Sequence, residues 1–325
     1  MTHGTSQENI TVQASPNLAL IKYWGKSDVE KNLPATPSIG ITLKNLTTTT
    51  TVARSEKDSV VVNDIPVDIE RFTPFFDSLR EYFDSKDCFS CYSRNNFPTS
   101  AGLASSSSGF AALAFGAAKL LDPGVSLDII SGLARIGSAS AARAVFGGFV
   151  SFPSHAEHAD KIHEEHFWPE LRIVVVEISK TAKTISSRGA MERARLTSPF
   201  YREWCLDSEK IFPKALSALA NKDLESLGPF IRSSYLKMFA TMFSSEPPIL
   251  YWKPESLTVI RCCEEMRLNS IGAWETMDAG AQVKIFCLDK DVSKITQVIK
   301  EALPHVGILI SEPGPGPKEI LQKTV

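Results

Sequence analysis

Residues 98–109, PTSAGLASSSSG, place glycines and serines directly before a long stretch of small and apolar residues. The first N–H groups of a helix lack partners within the helix, and the helix dipole adds partial positive charge there. Small side chains let an anion approach the backbone, and the hydroxyls at 105–108 add further donors. The segment therefore predicts a site for nucleotide phosphates or their magnesium ion. A serine-capped helix that binds nothing is the alternative.

Two common nucleotide motifs are absent from the sequence. Gly25, Lys26 and Ser27 match the end of a Walker A loop, but that motif needs a glycine where Leu20 stands. No G-x-G-x-x-G follows a predicted strand, so the dinucleotide fingerprint is missing as well. A nucleotide site in this chain must use another type of phosphate loop.

Three charged residues stand in sequence settings that suit catalysis. Asp278 lies in a predicted turn before an apolar strand, where it can act as a general base or as an electrostatic partner of a developing cation. Arg143 ends the small-residue segment GSASAAR, which permits close approach of a carboxylate to its guanidinium. Lys22 interrupts the apolar run LALIKYW and is expected to be partly buried and paired. The alternatives are a structural turn for Asp278 and a surface ion pair for Arg143.

The serine-glycine segment resembles the phosphate loop of the GHMP kinases. Further segments resemble, in the same order and at similar spacing, the motifs of diphosphomevalonate decarboxylases. They are NLALIKYWGK at 17–26, GSASAAR at 137–143, Ser187 with Arg188 and Met191 followed by TSP at 197–199, MDAG at 277–280, and GPGP at 314–317. The resemblance extends from about residue 12 to residue 318.

This resemblance implies an ATP-dependent reaction that needs Mg²⁺. The family phosphorylates the tertiary 3-hydroxyl of 5-diphosphomevalonate, and loss of phosphate and carbon dioxide then gives isopentenyl diphosphate. Close rivals are a decarboxylase of 5-monophosphomevalonate and a mevalonate 3-kinase that does not decarboxylate. A catalytically inactive nucleotide-binding protein is the rival from another class, and the presence of every charged candidate argues against it.

The resemblance also implies roles for single residues. Lys22, Asp278 and Arg143 form the catalytic cluster, with Arg143 on the substrate carboxylate. The substrate diphosphate is bound or lined by Tyr23, Lys26, Ser138, Ser140, Ser187, Arg188 and Met191. The nucleotide is bound by Asn96, Gly102, Leu103, Ala104, Ser105, Ser106, Ser107, Ser108 and Lys183. A turn explains Asn96 equally well, and no side chain is expected to form a metal site of its own.

Four positions depart from the family pattern. Ala139 stands where the family has glycine between the two serines, and Ala142 where cysteine is common. Ala281 and Gln282 replace the usual Pro-Asn after Asp278. The added bulk at Ala139 leaves open whether the substrate carries a diphosphate or a monophosphate.

Residue patterns predict an α+β protein with more helix than strand. In the first half we expect a strand at 9–13, paired strands within 38–55, a hairpin at 58–67 that turns at Asn63 and Asp64, and a helix within 68–86. In the second half we expect helices near 186–195, 199–221, 223–243, 255–268 and 291–302, and strands near 271–276, 282–288 and 306–311.

The strongest signal for a buried strand is LRIVVVEIS at 171–179. We place a domain boundary just before it, between a nucleotide-binding domain at 1–169 and a second domain at 170–325. The family resemblance implies a two-domain GHMP-kinase fold, with an N-terminal domain like ribosomal protein S5 and a ferredoxin-like C-terminal domain.

Bulk composition excludes several classes of partner. The 325 residues are 43% hydrophobic and 22% charged with a net charge of −2, which is typical of a globular protein and disfavours nucleic acid as a partner. The polar start MTHGTSQENITVQ and the absence of an 18-residue apolar run predict no signal peptide and no membrane span. The six scattered cysteines suggest a reduced, cytoplasmic protein. A homodimer is the default assembly.

Two further groups of residues invite a metal interpretation. His155, His158, His163 and His166 fit no common zinc spacing, and we interpret 154–166 as a solvated linker. Cys88 and Cys91 form a lone CxxC, which indicates an incidental pair on a strand.

Overall fold

The computed structural model describes residues 9–97, 105–179, 181 and 184–320. These ranges form an α+β structure with more helix than strand, as predicted. The strands of the described ranges are β1 Asn9–Ala14, β2 Asn17–Ile21, β3 Lys26–Asp28, β4 Leu33–Pro34, β5 Ser38–Thr42, β6 Thr48–Ser55, β7 Ser59–Val62, β8 Ile65–Pro66, β9 Cys88–Asn95, β10 Phe149–Phe152, β11 Asp160–His163, β12 Leu171–Glu177, β13 Trp274–Met277, β14 Val283–Leu288, β15 Gly307–Ser311 and β16 Lys318–Glu319.

The predicted α-helices are present with bounds that agree to within a few residues, apart from a late start in the first, and the helix at Ala139–Ala144 was not predicted. The α-helices of the described ranges are α1 Thr73–Phe83, α2 Ser105–Leu121, α3 Leu127–Gly137, α4 Ala139–Ala144, α5 Ser187–Thr197, α6 Tyr201–Ala220, α7 Leu224–Phe243, α8 Pro254–Leu268 and α9 Val292–Ala302. A short 3₁₀ turn at Ile69–Arg71 precedes α1. On α1, Phe75, Phe76 and Leu79 are buried, whereas Tyr82 is exposed.

The first sheet has the strand order β16-β1-β6-β9-β7-β8, and α2 packs across it. The predicted hairpin at 58–67 is confirmed as β7 and β8, joined by Asn63 and Asp64. Both turn residues have positive φ, 50° and 65°, which asparagine and aspartate tolerate better than most residues. The buried helix predicted after the serine segment is confirmed as α2, with Ala111, Ala114 and Ala117 fully enclosed.

The second sheet has the strand order β11-β10-β5-β2. The segment 38–55 does contain two strands, but they do not pair with each other: β5 pairs with β2 and β10, whereas β6 pairs with β1 and β9. A high content of β-branched residues predicts strands without selecting their partners. The predicted linker at 154–166 was also wrong in part, since β11 lies within it and the His163 ring stacks on Phe167 with centroids 3.7 Å apart.

The third sheet has the strand order β13-β14-β12-β15. Alternate residues of β12 face opposite ways, so that Val174 joins the core beneath α7 and α8 while Val175 packs with residues of the second sheet. Both faces are therefore buried, which accounts for the continuous apolar run that predicted this strand. Phe286 on β14 also packs toward the second sheet.

The end of the described chain returns to the first two sheets. In the first sheet, β16 pairs with β1, with Val12 opposite Glu319. Ahead of it, the Gly314 N–H donates to the Thr42 carbonyl at 2.8 Å, and the Gly314 carbonyl accepts from Gly148 at 2.9 Å. The GPGP segment thus lies against the second sheet. The boundary at 169/170 stays a prediction.

All six cysteines are free, and Cys88 and Cys91 lie on β9. No helix in the part of the chain that the structure describes has the length and apolarity needed to cross a membrane. The same residues contain no group of three His, Cys, Asp or Glu side chains that could hold a metal ion.

Gly147 supports a prediction about the GPGP segment. A Cβ at Gly147 would lie 2.3 Å from the Gly316 backbone nitrogen, so Gly147→Ala must displace that segment and should cost about 1–3 kcal/mol of unfolding free energy. Gly109→Ala is the control, because its Cβ meets no atom within 4 Å on a helix, and it should add about 1 kcal/mol of stability. Urea denaturation measures both, and equal midpoints would contradict the close approach.

Candidate active site

The centre of the candidate site is an ion pair between the two halves of the chain. Lys22 follows β2 and Asp278 follows β13, and the Lys22 Nζ lies 2.7 Å from the Asp278 Oδ1. The same Nζ donates to the Ala19 carbonyl at 2.8 Å. The Lys22 side chain is 1% exposed, whereas that of Asp278 is 28% exposed. A buried ammonium therefore supports a carboxylate whose open edge reaches solvent, and Lys22 is buried and paired as predicted.

A second buried lysine, Lys284, contacts the other oxygen of the same carboxylate. Its Nζ lies 3.1 Å from the Asp278 Oδ2, and its side chain is 2% exposed. Sequence reasoning missed this residue by treating 282–288 only as an apolar strand. The signal that identified Lys22 was present, because Lys284 is the one charge in VKIFCL. Strand alternation also places it on the same face as Phe286.

Electrostatics keep Asp278 ionised. Burial alone would raise the pKa of Asp278, but the adjacent Lys22 and Lys284 ammonium groups outweigh burial and hold this pKa well below its usual range. Burial lowers the pKa of Lys22 to about 8; Asp278 opposes this shift, and the like charges of Lys284 and Arg143 add to it.

Arg143 lies on α4 close to this pair without bonding to it. Its Nε donates to the Asn17 Oδ1 at 2.9 Å and its Nη1 donates to the Ser38 Oγ at 2.7 Å. Its side chain is 2% exposed, and among the described residues it has no carboxylate partner. Burial lowers its pKa to about 10, although Asp278 opposes that shift. Lys284, which was not predicted, takes the second oxygen of Asp278, and Arg143 lies beside the Lys22–Asp278 pair.

Asn17 and Ser38, which sequence reasoning also missed, hold the guanidinium in place. Gly40 makes room for this arrangement, because a Cβ there would lie 1.9 Å from the Asn17 Oδ1 and 2.6 Å from the Arg143 Nε. These partners use two of the five N–H donors of an arginine, so three remain for a ligand.

Three predicted serines meet where α2 and α4 begin. The Ser138 Oγ lies 3.2 Å from the Ser140 Oγ and 3.4 Å from the Ser106 Oγ. Ser106 was predicted on the nucleotide side and the other two on the substrate side. The two predicted sites therefore share a border of hydroxyl groups.

A group of cations adjoins these hydroxyls. The Arg188 Nη2 donates to the Gly137 carbonyl at 3.2 Å. Burial, followed by the like charge of Arg188, lowers the pKa of Lys26 to about 8 and also lowers that of Arg71. Of these three cations, none forms an ion pair with a residue the structure describes. Arg71 was not predicted, and its position on an exposed 3₁₀ turn offers no local signal.

Tyr23, Ser187 and Met191 border the cation group. The Tyr23 hydroxyl is buried without a hydrogen-bond partner among the described residues, and burial raises its pKa. Ser187 begins α5, and Met191 lies one turn later, packed against the core. Trp24 belongs to the core, with 2% exposure and a carbonyl that accepts from the Trp204 Nε1.

The predicted nucleotide residues divide into two kinds. Ser107 and Ser108 are buried and bond to the Asn17 N–H and to the Thr48 hydroxyl, so they help to pack α2. Ser105 and Ser106 are half-buried in its first turn. Gly102, Leu103, Ala104 and Lys183 lie outside the described residues.

Asn96 and Gln282 both form hydrogen bonds within the protein. Asn96 is exposed and bonds to Thr47 and Asn45, as the turn interpretation predicts. Gln282 is 2% exposed and accepts from the Ile178 N–H at 2.5 Å, so it fastens the chain after β12. Ala139 is 4% exposed.

Comparison with known proteins gives one family. A model described as the diphosphomevalonate decarboxylase-like N-terminal domain matches residues 14–163, and one described as the mevalonate 5-diphosphate decarboxylase C-terminal domain matches residues 173–317. The chain is 33% identical to the diphosphomevalonate decarboxylase of Saccharomyces cerevisiae over 317 residues, with 88% of this chain and 79% of the relative covered.

Two solved structures are similar along nearly the whole chain. The mevalonate diphosphate decarboxylase of Staphylococcus aureus superposes with a TM-score of 0.89 at 33% identity, covering 97% of this chain and 98% of the other. The structure of MDDEF in complex with MVAPP, AMPPCP and magnesium also has a TM-score of 0.89 at 33% identity, covering 96% and 99%.

The unpaired cations Lys26, Arg71 and Arg188 should bind a small polyanion. Inorganic pyrophosphate at ten times its Kd should raise the free energy of unfolding by about 1.4 kcal/mol. Arg188→Met should abolish most of this gain, while Lys44→Met, which removes a surface partner of Glu312, should keep it. Thermal unfolding with and without pyrophosphate measures the effect. An equal gain in both variants would show that the anion binds elsewhere.

Proposed function

The chain is a member of the diphosphomevalonate decarboxylase family, and we propose that it converts 5-diphosphomevalonate and ATP to isopentenyl diphosphate, ADP, phosphate and carbon dioxide. The oxygen of the 3-hydroxyl bonds to the γ-phosphorus as the bond to ADP breaks, and the hydroxyl proton is released to solvent. The C3–O bond then breaks, phosphate leaves, and the electron pair of the C1–C2 bond forms the new double bond as carbon dioxide leaves.

The observation that carries this proposal is the buried Arg143, which has no carboxylate partner among the described residues. A buried guanidinium is costly unless an anion meets it. Its unused donors lie close enough to the Lys22–Asp278 pair for Asp278 to influence its pKa. We assign the substrate carboxylate to these donors, which brings the 3-hydroxyl of the same molecule near Asp278.

The cation group supports the choice of a diphosphate. Lys26, Arg71 and Arg188 carry three positive charges without ion-pair partners among the described residues, and a diphosphate supplies matching negative charge. We assign Tyr23, Ser138, Ser140 and Ser187 to hydrogen bonds with the same group, with Met191 at its edge. In the similar MDDEF structure, MVAPP is the bound compound.

Asp278 and Lys22 act at the 3-hydroxyl in this proposal. Because the two lysines keep Asp278 ionised, its open edge accepts a hydrogen bond from the hydroxyl and orients the oxygen for attack. The charges of Lys22 and Arg143 beside it stabilise negative charge on the transferred group.

The nucleotide side fits Mg-ATP. The N–H groups that begin α2 and the hydroxyls of Ser105 and Ser106 offer ligands to phosphate, and Mg²⁺ prefers oxygen ligands. The contact between Ser106 and Ser138 supports a nucleotide side that adjoins the substrate side. We assign Ser105 and Ser106 to hold the magnesium ion, which neutralises phosphate charge when bound. Lys183 remains a proposed phosphate contact.

Location and assembly are part of the proposal. Six free cysteines are typical of a reducing compartment, which supports the cytoplasm. A two-fold homodimer is the commonest assembly of soluble enzymes. We keep the division into domains at 169/170, which separates the strands of the third sheet from those of the first half.

One assay tests the reaction and the substrate together. The enzyme is supplied with Mg-ATP and either 5-diphosphomevalonate or 5-monophosphomevalonate, and ADP and carbon dioxide are followed separately. Both products should appear in equal amounts with the diphosphate, because phosphoryl transfer and decarboxylation are coupled. ADP without carbon dioxide would reject decarboxylation, and faster turnover of the monophosphate would reject the substrate.

Loss of the Asp278 side chain should act on phosphoryl transfer. Asp278→Ala should lower the rate of ADP formation roughly 10²- to 10⁴-fold, because the 3-hydroxyl loses its acceptor. The affinity for ATP should remain largely unchanged, since the nucleotide is bound by α2. Asp207→Asn, at a surface ion pair with Lys237, is the control and should keep full activity. Unchanged turnover in Asp278→Ala would reject its role.

A further inference from the structure

The need to neutralise Asp278 does not explain why Lys284 lies beside this carboxylate. Lys22 alone balances the charge of this carboxylate at 2.7 Å. The second ammonium lies 3.1 Å from the other oxygen, so two lysines contact the same carboxylate. Burying an ammonium at 2% exposure is costly. A methionine on β14 would fill similar space without that cost, so the lysine calls for a function.

The geometry of the three groups suggests what that function is. Both lysine side chains are buried, whereas the Asp278 side chain is 28% exposed. The two ammonium groups therefore contact the buried side of the carboxylate. An ionised carboxylate offers about four lone-pair sites, and two are used by the lysines. Lys22, which follows β2, holds one oxygen of Asp278, and Lys284 on β14 holds the other. These two contacts fix the plane of the carboxylate. The remaining sites face the open edge.

We propose that Lys284 is a positioning residue for the reaction: by holding the Asp278 Oδ2 it fixes the orientation of the carboxylate toward the 3-hydroxyl, and it adds a second positive charge beside Lys22. This inference rests on the proposed function, since it assigns a role at the same site. Lys284 acts through Asp278 and needs no contact with the substrate.

The charge of Lys284 has a consequence for Lys22. The charged groups that face the Lys22 ammonium are Asp278 after β13, Lys284 on β14 and Arg143 on α4. Lys284 and Arg143 lower the pKa of Lys22, and Asp278 raises it. Removing the charge at 284 should therefore raise the pKa of Lys22. If the reaction needs Lys22 protonated, activity falls as pH rises through this pKa, and the fall moves to higher pH in an uncharged variant.

Steady-state kinetics of the full chain test the proposal. With Mg-ATP and 5-diphosphomevalonate, Lys284→Met should lower kcat at pH 7.5 roughly 10- to 100-fold, because the acceptor is misoriented. KM for both substrates should change little, since the diphosphate and nucleotide sites are untouched. The alkaline fall of kcat should move to higher pH. Lys284→Arg keeps the charge and should recover most of kcat and the original pH profile.

Titration of Lys22 gives a second readout that needs no turnover. The ¹⁵N resonance of its ammonium, assigned by its loss in Lys22→Arg, is followed against pH in the free wild-type and Lys284→Met proteins. The pKa should be higher in the variant. If Lys284→Met is too unstable, Lys284→Gln serves for the titration and the kinetics.

Each outcome decides the matter. Wild-type kcat and pH profile in Lys284→Met would overturn the proposal, as would an unchanged Lys22 titration. Equal loss of activity in the methionine and arginine variants, with equal loss of thermal stability, would leave Lys284 a structural role only and would also overturn it. If the wild-type enzyme releases no carbon dioxide, the proposed function is rejected instead. The titration then still measures whether Lys284 lowers the pKa of Lys22.

Discussion

The site depends on an ion pair between residues 256 positions apart in the chain, Lys22 and Asp278. Neither half can orient these groups alone, so the halves must meet with fixed geometry. Three contacts achieve this: a shared apolar core between the second and third sheets, the bond from the Trp204 Nε1 to the Trp24 carbonyl, and the bond from the Lys22 N–H to the Ser234 Oγ. The residue that carries the ammonium is thus anchored by α6 and α7 before any ligand arrives.

The site is strongly positive although the whole chain has a net charge of −2. Among the described residues, Lys22, Lys284 and Arg143 face the carboxylate of Asp278, and the second group of cations forms no ion pair, although Glu192 lies near Lys26. Burying charge in this way costs stability in the free protein. A substrate with a carboxylate and a diphosphate offsets that cost when it binds, because its anions neutralise the buried cations. Only a molecule with anions at both ends offsets the cost completely. Charge placement can thus select the substrate before shape does.

The spacing of apolar residues predicted most helices and strands, because buried residues recur along them at regular intervals. The five described helices of the second half and the strands β12–β15 follow their patterns to within a few residues. The pairing of strands was harder to predict than their existence. The β-branched residues predicted β5 and β6 as strands but did not show that these belong to separate sheets. The polar segment 154–166 concealed an edge strand. In the site, Lys22 and Asp278 could be found because each is a charged residue beside an apolar stretch of sequence. Lys284 carried the same contrast and was overlooked, while Arg71 and Asn17 become meaningful only once distant segments meet.

The return of β16 to β1 bears on how the protein is made. During synthesis the first sheet emerges with the outer edge of β1 open, and such an edge invites pairing with other chains. Its partner is translated some three hundred residues later, since Val12 pairs with Glu319. Contacts this distant in the chain slow folding. The outer edge of β1 therefore stays open until residue 319 has been synthesised and can pair with it, and folding chaperones have that interval in which to protect it.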